Sequence, residues 1–360
     1  MNNPSATTVK KRNYFVSYLK GYAIIGVFLV HLIEWSNIVI TDNLFHFKEF
    51  FYPAVFLFIS LSGSVIYLAY GHYENLARPV RRLLIRGAQL IGVYFLYNII
   101  KLFIYNFDKE PFYQQFIDRG IFNTANVITL KTFSVPISII FTIGILLLIA
   151  PVLLWIVKKF NRAHFILLAV IFGLIILNYS IPHPDIWIFN WLYSQNIVIF
   201  PVLTWLLPFV MGFYLAYIGF EKKKLKSGLF FLALTLFCTF VFQPTNFWLI
   251  PHHDYMYPLQ LYYIAFGFTF MYLLIYLFTA LEKIKHKIIQ YPLAALRFLG
   301  DKTLSLYIYQ WIVIDLTMWV LFPHTKYIWL TIPLFLIAYC WLKRKELLIY
   351  CQEQITQKNS

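Results

Sequence analysis

The chain has 360 residues, of which 61% are hydrophobic, 21% aromatic and 12% charged, and its mean hydropathy is +0.69. A soluble domain is about a quarter charged, so a water-facing globular surface is excluded and the expected fold is all-α, one polytopic transmembrane helical bundle. The formal charge of +15 is not laid out as a basic stripe interleaved with exposed aromatics, so no nucleic acid partner is expected.

The N-terminus is polar through Lys10, Lys11 and Arg12. The apolar run that follows is too long for a signal sequence and lacks a small-residue cleavage site, so no cleavable signal peptide is expected. A helix needs about 20 apolar residues to cross the hydrocarbon. Segments of that kind run near 14–35, 50–70, 87–106, 133–157, 164–181, 197–219, 227–245, 259–281, 303–322 and 327–342, which predicts about ten spans. Lys and Arg divide unevenly between alternate connections, 22 against 6. The crowded side includes Lys10–Arg12, the arginines of 78–86, Lys158, Lys159, Arg162, Lys222–Lys226, Lys283–Lys287, Arg297, Lys302 and Lys343–Lys345. That bias predicts both termini in the cytoplasm. The expected organisation is a cytoplasmic segment 1–13, a transmembrane domain 14–345 and a cytoplasmic tail 346–360.

The first span, YFVSYLKGYAIIGVFLVHLIEW, holds Lys20, His31 and Glu34 in an otherwise apolar helix. Ionisable groups inside a span are costly and are functional candidates by default. Lys20 and His31 are eleven residues apart, about 20° past three full turns, so they share a face about 16 Å apart along the axis. Glu34 is a surface neighbour of His31 and could orient its ring. The structural alternative is a hydrogen-bonded histidine with Lys20 snorkelling to the interface.

The second span carries Ser60, Ser62, Gly63 and Ser64, small residues that permit close helix approach. The connection after it holds Arg78, Arg81, Arg82 and Arg86. Positive-inside topology accounts for them, and guanidinium groups also suit a phosphate-bearing ligand. The outer connection near 245–258 contains His252, His253 and Asp254. Adjacent histidines diverge and no third ligand has suitable spacing, so no metal site is expected. The ninth span, opening FLGDKTLSLYIYQW, holds Thr303, Ser305, Tyr307 and Gln310. Gln310 is a polar group that must find a partner inside the bundle. Cys238, Cys340 and Cys351 show neither ligand spacing nor a disulfide framework.

Together these pieces resemble the acyltransferase-3 family of integral membrane acyltransferases, which acylate bacterial surface glycans and related acceptors. The family opens with Arg–Gly in the first span and a histidine eleven residues after the arginine; here Lys20-Gly21 and His31 stand at that spacing. Its aromatic-rich run ending in Ser–Gly is matched by FLFISLSG with Ser62 and Gly63, and its Arg-x-x-Arg stretch by Arg78 and Arg81, with Arg82 and Arg86 as an alternative register. Its late motif is matched by LGDKTLSLYIYQW, with Gly300 and Tyr307 in place and Gln310 where a histidine usually stands. Lys20 keeps the charge but loses the bidentate fork, and Gln310 cannot take a proton. A glutamine there is similar to membrane acyltransferases of the heparan-glucosaminide N-acetyltransferase type.

The resemblance implies transfer of an acyl group, acetyl foremost, from cytoplasmic acyl-CoA as co-substrate to a hydroxyl of a surface glycan or its lipid-linked precursor. The expected setting is the bacterial cytoplasmic membrane, with no bound cofactor and an open oligomeric state. His31 would be the base or transient acyl carrier and Glu34 its orienting partner. Lys20, Arg78, Arg81, Arg82 and Arg86 would hold acyl-CoA. Ser62, Gly63, Ser305, Tyr307 and Gln310 would be supporting groups, Ser62 or amides near Gly63 facing the oxyanion. The alternative is a glycan exporter or flippase without acyl transfer. The absence of matching Pro/Gly-broken half-spans weighs against that reading.

Overall fold

The structure is a computed structural model describing residues 14–35, 47–105, 137–180, 191–192, 200–219, 224–242, 259–316 and 328–356. Its regular structure is helical throughout the described residues. In chain order the helices are α1 (Tyr14–Trp35), α2 (Pro53–Tyr70), α3 (Ala77–Tyr105), α4 (Ser138–Lys159), α5 (Ala163–Tyr179) and α6 (Val202–Tyr217). They continue with α7 (Lys224–Phe242), α8 (Leu261–Glu282), α9 (Lys287–Asp301), α10 (Thr303–Asp315), α11 (Ile328–Leu342) and α12 (Arg344–Thr356).

Each of the ten apolar segments contains one of these helices. Six are long and apolar enough to cross a bilayer: α1, α2 with the turn before it, α3, α4, α7 and α8. Helices α5 and α6 and the Pro333–Leu342 part of α11 are shorter apolar helices, and α10 covers 13 residues. Large apolar side chains remain exposed on the outer helices, among them Phe165, Phe172, Phe237, Phe240 and Ile337. Such a surface suits lipid rather than water.

The arginine-rich connection turns out to be helix. Asn75 Oδ1 accepts the Ala77 N–H at 2.8 Å, which caps an orphan amide as an Asx side chain does, and α3 runs from Ala77. Arg78, Arg81, Arg82 and Arg86 therefore ride on its first turns. The connection 283–302 likewise contains a helix, α9. Its Leu293, Ala294, Arg297, Phe298 and Gly300 are buried while Lys287, Ile288 and Tyr291 are exposed, an amphipathic pattern at helical spacing. Its charges and short apolar stripe keep it below the 20-residue apolar criterion. Beyond residue 345 the described residues, to Thr356, are helical, and α12 packs on α9.

The centre of the bundle is the α2–α6 crossing. A Cβ on Gly63 would collide with the Phe209 carbonyl, and one on Gly212 with the Ser60 carbonyl. The two backbones therefore touch through reciprocal glycines, and Ser64 Oγ adds a 2.8 Å hydrogen bond to the Gly212 carbonyl. In lipid, where burial of apolar surface gives little drive, this close contact is what holds helices together.

Candidate functional site

Six elements enclose a cavity of about 530 Å³: α1, α2, α3, α4, the end of α9 and the start of α10. Lys20, Ser62, Arg86, Gln89, Asp301, Thr303 and Tyr307 contribute its polar lining. Phe58, Ile66, Leu83, Leu90, Ile140 and Ile143 are among its apolar walls. Six residues singled out by sequence (Lys20, Ser62, Arg86, Gly300, Thr303 and Tyr307) thus line one space, although they lie on five helices.

The rim is set by α1 against α9. A Cβ on Gly300 would strike the Ser17 carbonyl, and one on Gly21 the Leu296 carbonyl, so the glycines of both motifs let these backbones meet. That contact brings Asp301 to Ser17, whose Oγ donates to its carboxylate at 2.8 Å. Tyr350 of α12 donates to the other carboxylate oxygen at 2.5 Å, and the Arg297 guanidinium lies 4.9 Å from the Tyr350 ring centroid.

His31 is not among the residues lining the cavity. It lies farther along α1, where Gln310 Nε2 is 2.5 Å from its Nδ1. The pairing admits two neutral arrangements: the carboxamide N–H donates to Nδ1 of the Nε2–H tautomer, or, with the amide turned, Oε1 accepts from Nδ1–H of the other tautomer. The ring also rests on Trp311, centroids 4.4 Å apart. Gln310 and Trp311 are buried, and Gln310 Oε1 has no hydrogen-bond partner among the described residues.

The remaining candidates divide. Glu34 is on the last turn of α1, but its side chain lies outside the described residues, as do His252, His253 and Asp254. Arg78, Arg81 and Arg82 are exposed and do not line the cavity. Gly63 sits in mid-α2 against α6, and its N–H belongs to the helix ladder. Ser62 donates to the Phe58 carbonyl at 2.6 Å, leaving oxygen lone pairs toward the cavity rather than a free proton. Ser305 is exposed. Among the described residues no three His, Cys, Asp or Glu side chains gather as a metal-ligand set.

Sequence reasoning missed Asp301, Gln89, Trp311 and the buried pair Tyr97–Asp315, in which the phenol donates to the carboxylate across α3 and α10. Asp315 carried the same signal as His31, an ionisable group inside an apolar segment. Asp301 read as part of a basic connection, and nothing local marks its partners.

Residues 13–342 match a family model described as an acyltransferase domain, that of the acyltransferase-3 family. No curated protein sequence and no solved structure matches the chain.

Proposed function

The chain belongs to the acyltransferase-3 family of membrane acyltransferases, and on that premise we propose that it moves an acetyl group from cytoplasmic acyl-CoA to a hydroxyl of a surface glycan or its lipid-linked precursor. The observation that carries this reading is the cavity shared by Lys20, Arg86 and Tyr307, with the His31–Gln310 pair one helical turn beyond Tyr307.

The donor enters from the basic end of the bundle. Its phosphates meet Lys20 and Arg86, and its pantetheine arm lies along the apolar wall. Arg78, Arg81 and Arg82, outside the cavity, orient α3 at the membrane surface and add a general attraction for anions. The thioester then points toward Tyr307 and His31.

His31 acts as the base. The base form is the neutral tautomer that carries its proton on Nδ1, with the Gln310 carboxamide turned so that Oε1 accepts from Nδ1–H; the Nε2 lone pair is then free to take a proton. The acceptor hydroxyl gives its proton to Nε2 as its oxygen attacks the thioester carbonyl carbon. The C–S bond breaks, and the leaving thiolate takes the proton from the imidazolium. Ester and free thiol are the products, and the histidine is regenerated.

The test compares surface glycans by mass spectrometry from cells with the wild-type chain, without it, and with His31→Ala. Loss of an acyl mass in both deficient strains, with the variant still membrane-inserted, supports the reading. Full acylation by His31→Ala removes His31 from it.

A further inference from the structure

His31 does not line the cavity, whereas the aromatic rings of Phe58 and Tyr307 do. Helix α2 runs toward the basic end of the bundle, so Phe58 is the α2 lining residue farthest from that end. On α10, which runs the other way, Tyr307 is the innermost lining residue. The rings meet edge to face, centroids 6.4 Å apart and planes at 72°.

The register of α10 gives the same order. Thr303 lines the rim and Gln310 meets His31, seven residues on, about 10 Å along the axis. Tyr307 lies between them and shares its buried face with Gln310 and Trp311, the two residues touching His31. The Phe58–Tyr307 pair therefore lies at the end of the cavity from which α10 continues to the His31 contact. Tyr307 is buried and Phe58 is half-buried.

We propose that Phe58, held edge-on against Tyr307, is the acyl-length filter of this protein, admitting two-carbon groups and excluding longer chains. The proposal rests on the acyl-CoA reading above. A two-carbon group needs only a small rotation of the rings to pass. A six-carbon chain needs the Phe58 ring out of the way for its whole length. The apolar wall below the pair would accommodate such a chain, so exclusion happens at the rings and not in the cavity.

The experiment uses inside-out membrane vesicles from the native host carrying the full-length wild type, Phe58→Ala or Phe58→Leu. Acetyl-, butyryl- and hexanoyl-CoA are supplied separately, and acyl groups joined to carbohydrate are quantified by mass spectrometry. Wild type uses acetyl-CoA and rejects hexanoyl-CoA. The hexanoyl-to-acetyl ratio rises about tenfold or more in Phe58→Ala and by less in Phe58→Leu, which keeps more of the apolar volume. A merely structural role for Phe58 would lower all donors together and leave the ratio fixed. An unchanged ratio with transfer retained in either variant, or wild type using hexanoyl-CoA as well as acetyl-CoA, overturns the filter alone. Absence of transfer from every acyl-CoA overturns the reading beneath it as well.

Discussion

Gln310 and His31 are hydrogen-bonded at 2.5 Å although 279 residues separate them in the chain. The pair joins α1 to α10 and fixes the imidazole against Trp311. The carboxamide pairs with the ring without itself changing charge. On the proposed mechanism Gln310 is a positioning residue, and its removal should act on turnover through His31.

Replacing Gln310 by Leu is therefore expected to lower kcat about 10²-fold, the lower end of what a well-placed base contributes, with little change in KM for acyl-CoA. Gln310→His, which can still hydrogen-bond Nδ1, should restore most of the rate. Steady-state kinetics on both variants check this. Equal losses in the two would mean that the site tolerates no change in packing, and the tautomer argument would fall.

The arginines of α3 separate by position. Arg78 and Arg86 are both exposed, but only Arg86 lines the cavity. A charge-assisted hydrogen bond is worth about 1.5–3 kcal/mol, so Arg86→Gln should raise KM for acyl-CoA about tenfold or more. Arg78→Gln should stay within about twofold. Measuring KM at two salt concentrations sharpens the comparison, because a charge that makes no direct contact acts only through screened, long-range attraction. Equal effects from the two substitutions would move the phosphate contact out of the cavity.

The α2–α6 crossing makes a stability prediction independent of chemistry. Gly63→Val forces a side chain into the Phe209 carbonyl, and overpacking of this kind costs about 1–3 kcal/mol. Because the collision is with backbone, the helices have to separate. Thermal unfolding in detergent should shift down and activity should fall with it. Gly92→Ala, where a Cβ meets nothing within 4 Å, is the control that should leave the transition unchanged.

These residues also show what a sequence can and cannot tell. Hydropathy located a helix in each of ten segments because apolar length is a local property. It passed over α9 and α12 and the first turns of α3, where charged and polar residues interrupt the apolar run; α9 shows as an amphipathic stripe, whereas α12 carries no such stripe. Lys20, His31, Ser62, Tyr307 and Gln310 were legible as polar groups in apolar helices or as motif positions. That Lys20, Ser62 and Tyr307 share a cavity with Arg86, while Gln310 holds His31, depends on which helices pack together. Asp301 was illegible for that reason: its partners Ser17 and Tyr350 lie 284 and 49 residues away. Asp315 was legible by burial logic alone, but Tyr97, its partner on α3, was not.

Asp301 leads to the last prediction. Its carboxylate lines the cavity rim and is held by Ser17 from α1 and by Tyr350 from α12, so α12 acts as a clasp on the rim. The clasp is reinforced by Glu346, which lies 2.7 Å from Lys343 and 2.9 Å from Lys302. Hydrogen bonds from Lys343 and then Lys302 hold its carboxyl below the ordinary glutamate range. A carboxyl lowered in the folded state stabilises at pH above its unfolded value and loses that stabilisation as pH falls through the folded value. Docking of α12 should therefore be insensitive to pH near neutrality and loosen below about pH 4. Tyr350→Phe removes a hydrogen bond to a charged group, about 1.5–3 kcal/mol, and should loosen α12 at all pH values. Hydrogen exchange of the α12 amides reads both effects: faster exchange in Tyr350→Phe at pH 7, and in wild type only on acidification. If the clasp shapes the rim, KM for acyl-CoA rises in Tyr350→Phe while kcat holds. Faster exchange with unchanged KM would make α12 a structural strap with no part in donor binding.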